Sequence, residues 1–150
     1  MQPLFTIGYE KAAPKAVMDE LKRAKIALVV DTRAVAASRR PGFSKRQLAA
    51  GLDDAGIGYL HLQKLGTPAE GRQAARSGDT EKLWRIYDKH IKTPAAHEAL
   101  DELMVLIKSK KRICLLCYCR DPDTCHRSRI VAQVKKRARL KIENLVPPLF

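Results

Sequence analysis

All four cysteines of this 150-residue chain lie in one short segment, residues 111–130. The segment begins with an apolar run, Ile113 to Cys117, of the length expected for a β-strand buried on both faces. It breaks at Asp121-Pro122 and then resumes with apolar residues at helical spacing. Several basic side chains accompany the cysteines: Arg120, His126, Arg127 and Arg129. A strand, a polar loop and a helix start commonly form an anion-binding or reaction site in α/β proteins, so we expect the chemistry here.

The spacing of the cysteines argues against one shared four-cysteine zinc site. Successive side chains of a strand point to opposite faces, so Cys114 should face away from Cys117 and Cys119 and serve as a small core residue. Extended backbone would place the side chains of Cys117 and Cys119 about 6.5 Å apart, too far for a disulfide. A bond from either of them to Cys125 across the loop is left open. From the sequence we assign no metal ligands and no cofactor, and a metal site stays an alternative.

Cys125 and His126 are the candidates for catalysis in this loop. If the helix begins near Asp123 or Thr124, the Cys125 sulfur lies in its first turn, where the helix dipole and Arg127 favour a thiolate. The same amides and guanidinium groups would equally bind a phosphate or a carboxylate. The purely structural alternative is that Asp123 or Thr124 caps the helix while Arg127 pairs with an acid such as Asp31.

The rest of the chain alternates apolar strand patterns with helical ones. Strands are predicted at 4–8, 27–30, 59–62, 113–117 and 140–146, with about five helices between and after them. Residues 66–78 are polar and contain glycine, which predicts a mobile loop over one edge of the site. The sequence therefore predicts a single α/β domain over residues 1–150, a three-layer sandwich with a mainly parallel sheet of about five strands.

Ligands of open parallel sheets bind beyond the carboxyl ends of the strands. The residues at the predicted strand ends, with the basic loop that follows the second strand, supply the candidate substrate-binding set: Gly8, Tyr9, Arg33, Ser38, Arg39, Cys117 and Arg127. Asp31, Cys125 and His126 form the candidate catalytic set, in which Asp31 acts as acid, base or orienter of an arginine. His61, also at a strand end, is interpreted as a half-buried structural histidine.

The net charge of +13, from 29 basic and 16 acidic residues, favours an anionic partner. Our leading hypothesis is an enzyme that binds an anionic, phosphorylated or nucleotide-like small molecule. One alternative is a nucleic-acid-binding module that uses the basic residues of the last helix and its end: Arg127, Arg129, Lys135, Lys136, Arg137, Arg139 and Lys141. A further alternative is thiol or sulfur transfer. No apolar run approaches the roughly 20 residues of a membrane span, so we expect no membrane partner and a cytoplasmic location; the oligomeric state stays open.

Several motifs together resemble one known family. They are Thr6-Ile-Gly8, Val30-Asp-Thr-Arg33, Ser38-Arg39 through Phe43-Ser44, Tyr59-Leu-His61, Leu65-Gly66, and Leu115-Leu-Cys117 followed by Cys125-His-Arg127. In this order they resemble the domain-of-unknown-function 488 family over residues 4–134, and Cys-His-Arg is the most specific part. The resemblance implies a small α/β protein and supports the site location without implying a reaction. The chain departs from the family pattern at two positions: Cys119 stands where a glutamate is usual, and Thr67 stands where a second glycine is usual. If that glutamate is a catalytic acid in relatives, this protein cannot use it in the same way.

Overall fold

The chain forms one sheet of five parallel strands in the computed structural model, which describes residues 1–149. The strands are β1 (Leu4–Gly8), β2 (Leu28–Asp31), β3 (Gly58–His61), β4 (Ile113–Cys117) and β5 (Ile142–Leu145). Their order across the sheet is β3-β2-β4-β1-β5, so β4 lies at the centre between β2 and β1. The mainly parallel sheet predicted from the sequence is confirmed.

Six α-helices connect the strands of the described residues. They are α1 (Pro14–Arg23), α2 (Lys45–Asp54), α3 (Ala69–Arg76), α4 (Thr80–His90), α5 (Pro94–Lys108) and α6 (Arg127–Arg137), with 3-10 turns at Gln63–Leu65 and Pro122–Thr124. Two starts follow standard capping: the Asp79 side chain accepts a hydrogen bond from Lys82 N, and Thr93 Oγ1 accepts one from Ala96 N. No helix within residues 1–149 is long and apolar enough to cross a membrane.

Two apolar layers, one on each face of the sheet, form the core. On one face Val17 and Leu21 of α1 and Leu48 and Leu52 of α2 pack against β1 and β4. On the other face α4, α5 and α6 bury a second set of apolar residues. The central strand β4 serves both layers by alternation, with Ile113 and Leu115 in one and Cys114 and Leu116 in the other. This is the three-layer arrangement expected from the sequence.

The segment 66–78, predicted as a mobile loop, is instead largely helical. Helix α3 occupies residues 69–76 and buries only Gly71 and Ala74. A Cβ at Gly71 would lie 2.5 Å from Thr67 Cγ2 and 3.3 Å from Ile86 Cγ2, so the absence of a side chain there permits the close packing of α3 on α4. The prediction failed because a helix with such a narrow buried face shows almost no apolar periodicity.

The topology opens a crevice between β1 and β4. The chain leaves β1 through α1 on one face of the sheet, and it leaves the adjacent β4 through α6 on the other face. Because the two connections diverge, the carboxyl ends of these strands are left uncovered at the point where the winding reverses. Open α/β sheets bind ligands at this kind of position.

Candidate active site

A cleft of about 560 Å³ lies at the carboxyl ends of the central strands. We call it the thiol cleft, because three of the four cysteines line it. The loops after β1, β2 and β4 and the helix α3 all contribute to its wall. Its polar and reactive lining residues are Tyr9, Arg33, Ser38, Thr67, Arg72, Arg76, Cys117, Tyr118, Cys119, Thr124, Cys125 and His126.

The loop after β4 reaches the helix later than the sequence indicated. Asp121 accepts a hydrogen bond from Asp123 N and so fixes the 3-10 turn Pro122–Thr124. Cys125 follows with extended backbone, and α6 begins at Arg127 with His126 at the N-cap position. Cys125 therefore precedes the helix, and the expectation that its sulfur lies in the first helical turn is wrong. Neither Asp123 nor Thr124 caps α6.

Cys117 and Cys125 meet at the floor of the thiol cleft. The structure pairs their sulfur atoms as a disulfide, which is the bond from Cys117 to Cys125 that the sequence left open, although the two Cα atoms are 7.9 Å apart. Disulfides normally span roughly 4.4 to 6.8 Å between Cα atoms, so this pairing is wider than an ordinary disulfide, and its reduction leaves two thiols side by side. Both residues are 1% exposed. Cys119 is only partly buried and has a free thiol, whereas Cys114 is fully buried in the α1–α2 core, as predicted.

His126 is held in one orientation by the loop after β2. Its Nε2 lies 2.9 Å from the Thr32 carbonyl oxygen, which can only accept, so Nε2 carries the hydrogen. Nδ1 lies 3.7 Å from Cys125 Sγ. Burial lowers the pKa of His126 to about 4, and the Thr32 carbonyl only partly offsets this effect. At neutral pH the ring is therefore uncharged, with the Nδ1 lone pair on the side of the cysteines.

Arg127 is a buried cation that has no carboxylate partner in the described part of the chain. Its side chain donates to Thr6 Oγ1 at 3.2 Å, to the Cys119 carbonyl at 2.6 Å and to Cys125 Sγ at 3.4 Å. It is 1% exposed and forms no salt bridge within residues 1–149. Burial lowers the pKa of Arg127. The positive charge is thus directed at the thiols, where it favours a thiolate on Cys125, and the suggested pairing with Asp31 is absent.

Gly8 explains how the Cys119 carbonyl reaches Arg127. A Cβ at Gly8 would lie 1.7 Å from that carbonyl oxygen and 3.1 Å from Arg127 Nη2. Only glycine leaves room for the β4 loop to pass this close to the end of β1. Gly8 does not itself line the thiol cleft, so its place in the substrate-binding set stays a prediction.

Asp31 pairs with Arg33, two residues along the chain. Arg33 Nε and Nη2 donate to the two carboxylate oxygens at 2.9 and 2.8 Å, and Tyr59 OH donates to the second oxygen at 2.6 Å. The remaining Arg33 nitrogen, Nη1, donates to Phe43 O and Tyr9 OH. Burial lowers the pKa of Arg33, but the hydrogen bond and charge of Asp31 outweigh this and hold the pKa above its usual range.

The Asp31–Arg33 pair fixes the wall of the cleft. Tyr9, which accepts from Arg33, also stacks on Phe43 with ring centroids 4.3 Å apart. Asp31 is fully buried and outside the cleft lining, so the contacts match the arginine-orienting alternative, and a catalytic role stays a prediction. All the Arg33 nitrogens have protein partners, which leaves this arginine little capacity for a ligand.

The remaining predicted residues divide between the cleft and its surroundings. Ser38 lines the cleft and accepts a hydrogen bond from Arg40 N. Arg39 is exposed and lies outside the cleft lining. His61 Nε2 contacts the Arg33 carbonyl at 2.6 Å, in keeping with a structural histidine.

Two arginines of the thiol cleft were missed by sequence reasoning. Arg72 and Arg76 lie one turn apart on α3 and both line the cleft. Arg72 Nη1 donates to the Thr67 carbonyl at 2.8 Å, which anchors that side chain while leaving other donors free. Their i, i+4 spacing would have revealed the pair if residues 69–76 had been recognised as a helix.

The basic residues of α6 do not form one continuous stripe. Arg127 is buried, and Arg129 lies over the Trp84 ring at 4.3 Å with Asp88 at 3.5 Å. A shallow depression at the far end of the helix, formed by residues 135–140, is lined by four of the remaining cations, Lys135, Lys136, Arg137 and Arg139.

Three potential metal ligands meet where the sequence assigned none. One ligand atom from each of Cys117, Cys125 and His126 lies within 4.8 Å of the other two. Two thiols and one imidazole suit zinc or a similar borderline-soft cation.

The comparisons with known proteins identify the chain only at the level of a family. No curated protein and no solved structure matches it significantly. The model of one family, described as "Domain of unknown function DUF488", matches residues 13–134. This range contains β2 to β4, α3 and the complete Cys-His-Arg motif. The resemblance stated from the sequence motifs is therefore confirmed, and the chain belongs to the DUF488 family.

Proposed function

We propose that this protein is an enzyme that binds an anionic small molecule in the thiol cleft and acts on it at Cys117, Cys125 and His126. The observation that carries the proposal is the pairing of two features in one cleft: two arginines on α3 and a floor of two thiols and an imidazole. The cleft lies at the winding reversal of a parallel sheet, where ligands of such folds bind.

Arg72 and Arg76 are the anion-binding groups. Arg72 is held by Thr67, and Arg76 is exposed without a hydrogen bond or ion pair among residues 1–149. An arginine pair one helical turn apart can grip a phosphate or carboxylate from two sides. These residues replace Arg33 and Arg127 as the direct contacts, because those two guanidinium groups are already bonded within the protein.

The lining also limits the kind of anion. Ala34, Val35, Ala37, Leu83 and Tyr9 give the cleft an apolar portion beside its charges. A volume of about 560 Å³ lies within the range of small-molecule sites. A substrate that carries a charged group on a larger, partly apolar body fits these properties better than inorganic phosphate alone.

Thiol or sulfur transfer is the second candidate, favoured by one specific contact. Cys125 Sγ lies between a donor, Arg127 Nε at 3.4 Å, and an acceptor, His126 Nδ1 at 3.7 Å. This environment lowers the cost of forming a thiolate. Sulfur transfer, unlike the first candidate function, requires a covalent bond between Cys125 Sγ and the transferred group. Mass spectrometry of protein stopped during the reaction would detect this adduct.

The test is the thermal stability of the reduced, metal-stripped protein against phosphates, nucleotides, carboxylates and short nucleic acids. A ligand present at one hundred times its Kd stabilises the native state by about 2.7 kcal/mol. For a domain of this size the midpoint should rise by about 8 °C. We expect this shift with a small anion and its loss in Arg72→Gln/Arg76→Gln.

The matched control is Arg46→Gln/Arg85→Gln, which removes the same charge from exposed positions on α2 and α4. It should keep the full shift. A shift with nucleic acid alone, lost in Lys135→Gln/Lys136→Gln but not in the α3 double variant, would overturn the proposal in favour of the nucleic-acid-binding alternative. Equal loss in the α3 variant and the control would show that only net charge matters.

A further inference from the structure

Cys117 and Cys125 are paired across a Cα separation that suits two thiolate ligands of one metal ion better than an ordinary disulfide. The Cα atoms are 7.9 Å apart, wider than the roughly 6.8 Å limit of ordinary disulfides. Two zinc–sulfur bonds of about 2.3 Å at a tetrahedral angle hold the sulfurs about 3.8 Å apart. In the reduced protein the observed Cα separation is compatible with that sulfur distance, whereas ordinary disulfides hold their Cα atoms closer together.

His126 completes the set with the correct nitrogen. Its Nδ1 lies 3.7 Å from Cys125 Sγ. Zinc bonds of about 2.3 Å to sulfur and 2.0 Å to nitrogen place the two ligand atoms about 3.5 Å apart at a tetrahedral angle. The other nitrogen donates to the Thr32 carbonyl, which fixes the ring with Nδ1 on the side of the thiols. Metal-binding histidines commonly have this kind of backbone partner on the opposite nitrogen.

Arg127 supplies the outer support that a metal-bound thiolate requires. Its Nε donates to Cys125 Sγ at 3.4 Å, and its buried charge has no carboxylate partner within residues 1–149. Hydrogen bonds to a ligating thiolate stabilise the deprotonated sulfur. If Cys125 is a thiolate ligand, its negative charge explains why the Arg127 guanidinium is buried beside it without a salt bridge to a carboxylate among residues 1–149.

We infer that Cys117, Cys125 and His126 form a binding site for a zinc-like divalent cation, with a fourth coordination position that faces the thiol cleft. Two thiolates and one imidazole exclude Mg²⁺ and Ca²⁺, which take oxygen ligands. Three protein ligands and one open position are characteristic of catalytic rather than structural zinc. The inference of metal binding does not depend on the proposed function. The additional inference that an atom of the anionic substrate binds the metal at the open position rests on the proposed function.

The test is a titration of the full chain, reduced and stripped of metal, with Co²⁺ as a spectroscopic probe. We expect one cobalt per chain, thiolate-to-cobalt charge-transfer bands, visible bands of tetrahedral intensity, and displacement by Zn²⁺. Cys117→Ser, Cys125→Ser and His126→Gln should each weaken binding by about 100-fold or more, beyond the roughly 10- to 100-fold loss that outer partners cause. Cys119→Ser, a partly exposed thiol of the same cleft, should retain the cobalt spectrum.

X-ray absorption of the zinc-loaded wild-type protein keeps the inference testable if a variant fails to fold. It should show two sulfurs at about 2.3 Å and nitrogen or oxygen at about 2.0 Å. A spectrum without sulfur ligands, an unchanged cobalt spectrum in Cys125→Ser, or a Cys117–Cys125 bond that persists in excess reductant would overturn the metal site. The anion-dependent thermal shift is measured without metal, so it tests the proposed function separately.

Discussion

Replacing Arg33 by methionine should destabilise the protein by about 3 to 5 kcal/mol. The Asp31 side chain is fully buried, and among residues 1–149 Arg33 is the only cation that forms a salt bridge with it, at 2.8 Å. Removing one partner of such a pair leaves an uncompensated charge in the interior, which typically costs this amount. We expect the lower end, because Tyr59 OH and the Arg33 backbone N–H still donate to the carboxylate.

This loss of unfolding free energy corresponds to a large decrease in the thermal unfolding midpoint. An unfolding entropy of about 2.1 cal/mol/K per residue gives about 0.3 kcal/mol/K for this chain. The midpoint should therefore fall by about 10 to 16 °C. Urea unfolding followed by tryptophan fluorescence and circular dichroism measures the free energy of unfolding directly.

The control is the double variant Asp31→Asn/Arg33→Met, which removes both charges. It should be more stable than Arg33→Met by at least about 1 kcal/mol, because no unpaired charge remains buried. Arg39→Met, a change at the exposed arginine of the next loop, should stay within about 0.5 kcal/mol of the wild type. A cost below about 1 kcal/mol for Arg33→Met, or a double variant no better than the single one, would refute the structural role of the pair.

Gly8, His126 and Cys114 each allow a further test of the structure around the thiol cleft. Gly8→Ala should destabilise the protein by about 1 to 3 kcal/mol in urea unfolding, because the added Cβ would overlap the Cys119 carbonyl. Gly51→Ala on α2 should be neutral or stabilising, because a Cβ there meets only the flexible Met18 side chain. Equal losses of stability in the two variants would contradict the close packing at Gly8. In the metal-free protein the pKa of His126 is lower in the native state than in the unfolded chain, so on acidification the unfolded chain binds a proton at this histidine first. The free energy of unfolding should therefore fall by up to about 3 kcal/mol as the pH drops from about 6.5 to about 4. His126→Gln should lose this part of the pH dependence, and identical pH profiles of the wild type and the variant would refute the prediction. Cys114 is buried, and burial raises the pKa of its thiol, so Cys119 should be alkylated in the native state long before Cys114. Peptide mass spectrometry measures the two alkylation rates separately. Comparable rates would show that Cys114 is not buried in the core.

The sequence was sufficient for features that depend on local periodicity. The alternation in Ile113–Cys117 correctly separated the buried Cys114 from the thiols at the cleft, because side-chain direction on a strand follows from position alone. Collecting the strand ends brought Tyr9, Arg33, Cys117 and His126 to one place, since parallel strands end at the same edge.

The partners of the individual cations could not be predicted in the same way. Arg33 and Arg127 were both predicted to bind the anion, yet one is paired with Asp31 and the other faces sulfur and carbonyl atoms. That difference depends on which loops converge after folding. Arg72 and Arg76 were missed for a different reason: the polar, glycine-containing segment 66–78 resembles a loop, and only its packing against α4 makes it a helix.

If the thiols and the arginines of α3 share one anion-attracting cleft, as we propose, the Cys119 thiol reports on it directly. Iodoacetate and iodoacetamide both react with the thiolate, so the ratio of their rates cancels the thiolate fraction and reports the local preference for an anion. In the reduced, metal-free protein we predict a ratio at Cys119 above that of a small peptide thiol, reduced in Arg72→Gln/Arg76→Gln and unchanged in Arg46→Gln/Arg85→Gln. A ratio that equals that of the peptide thiol and does not change in the α3 double variant would show that this cleft does not attract anions.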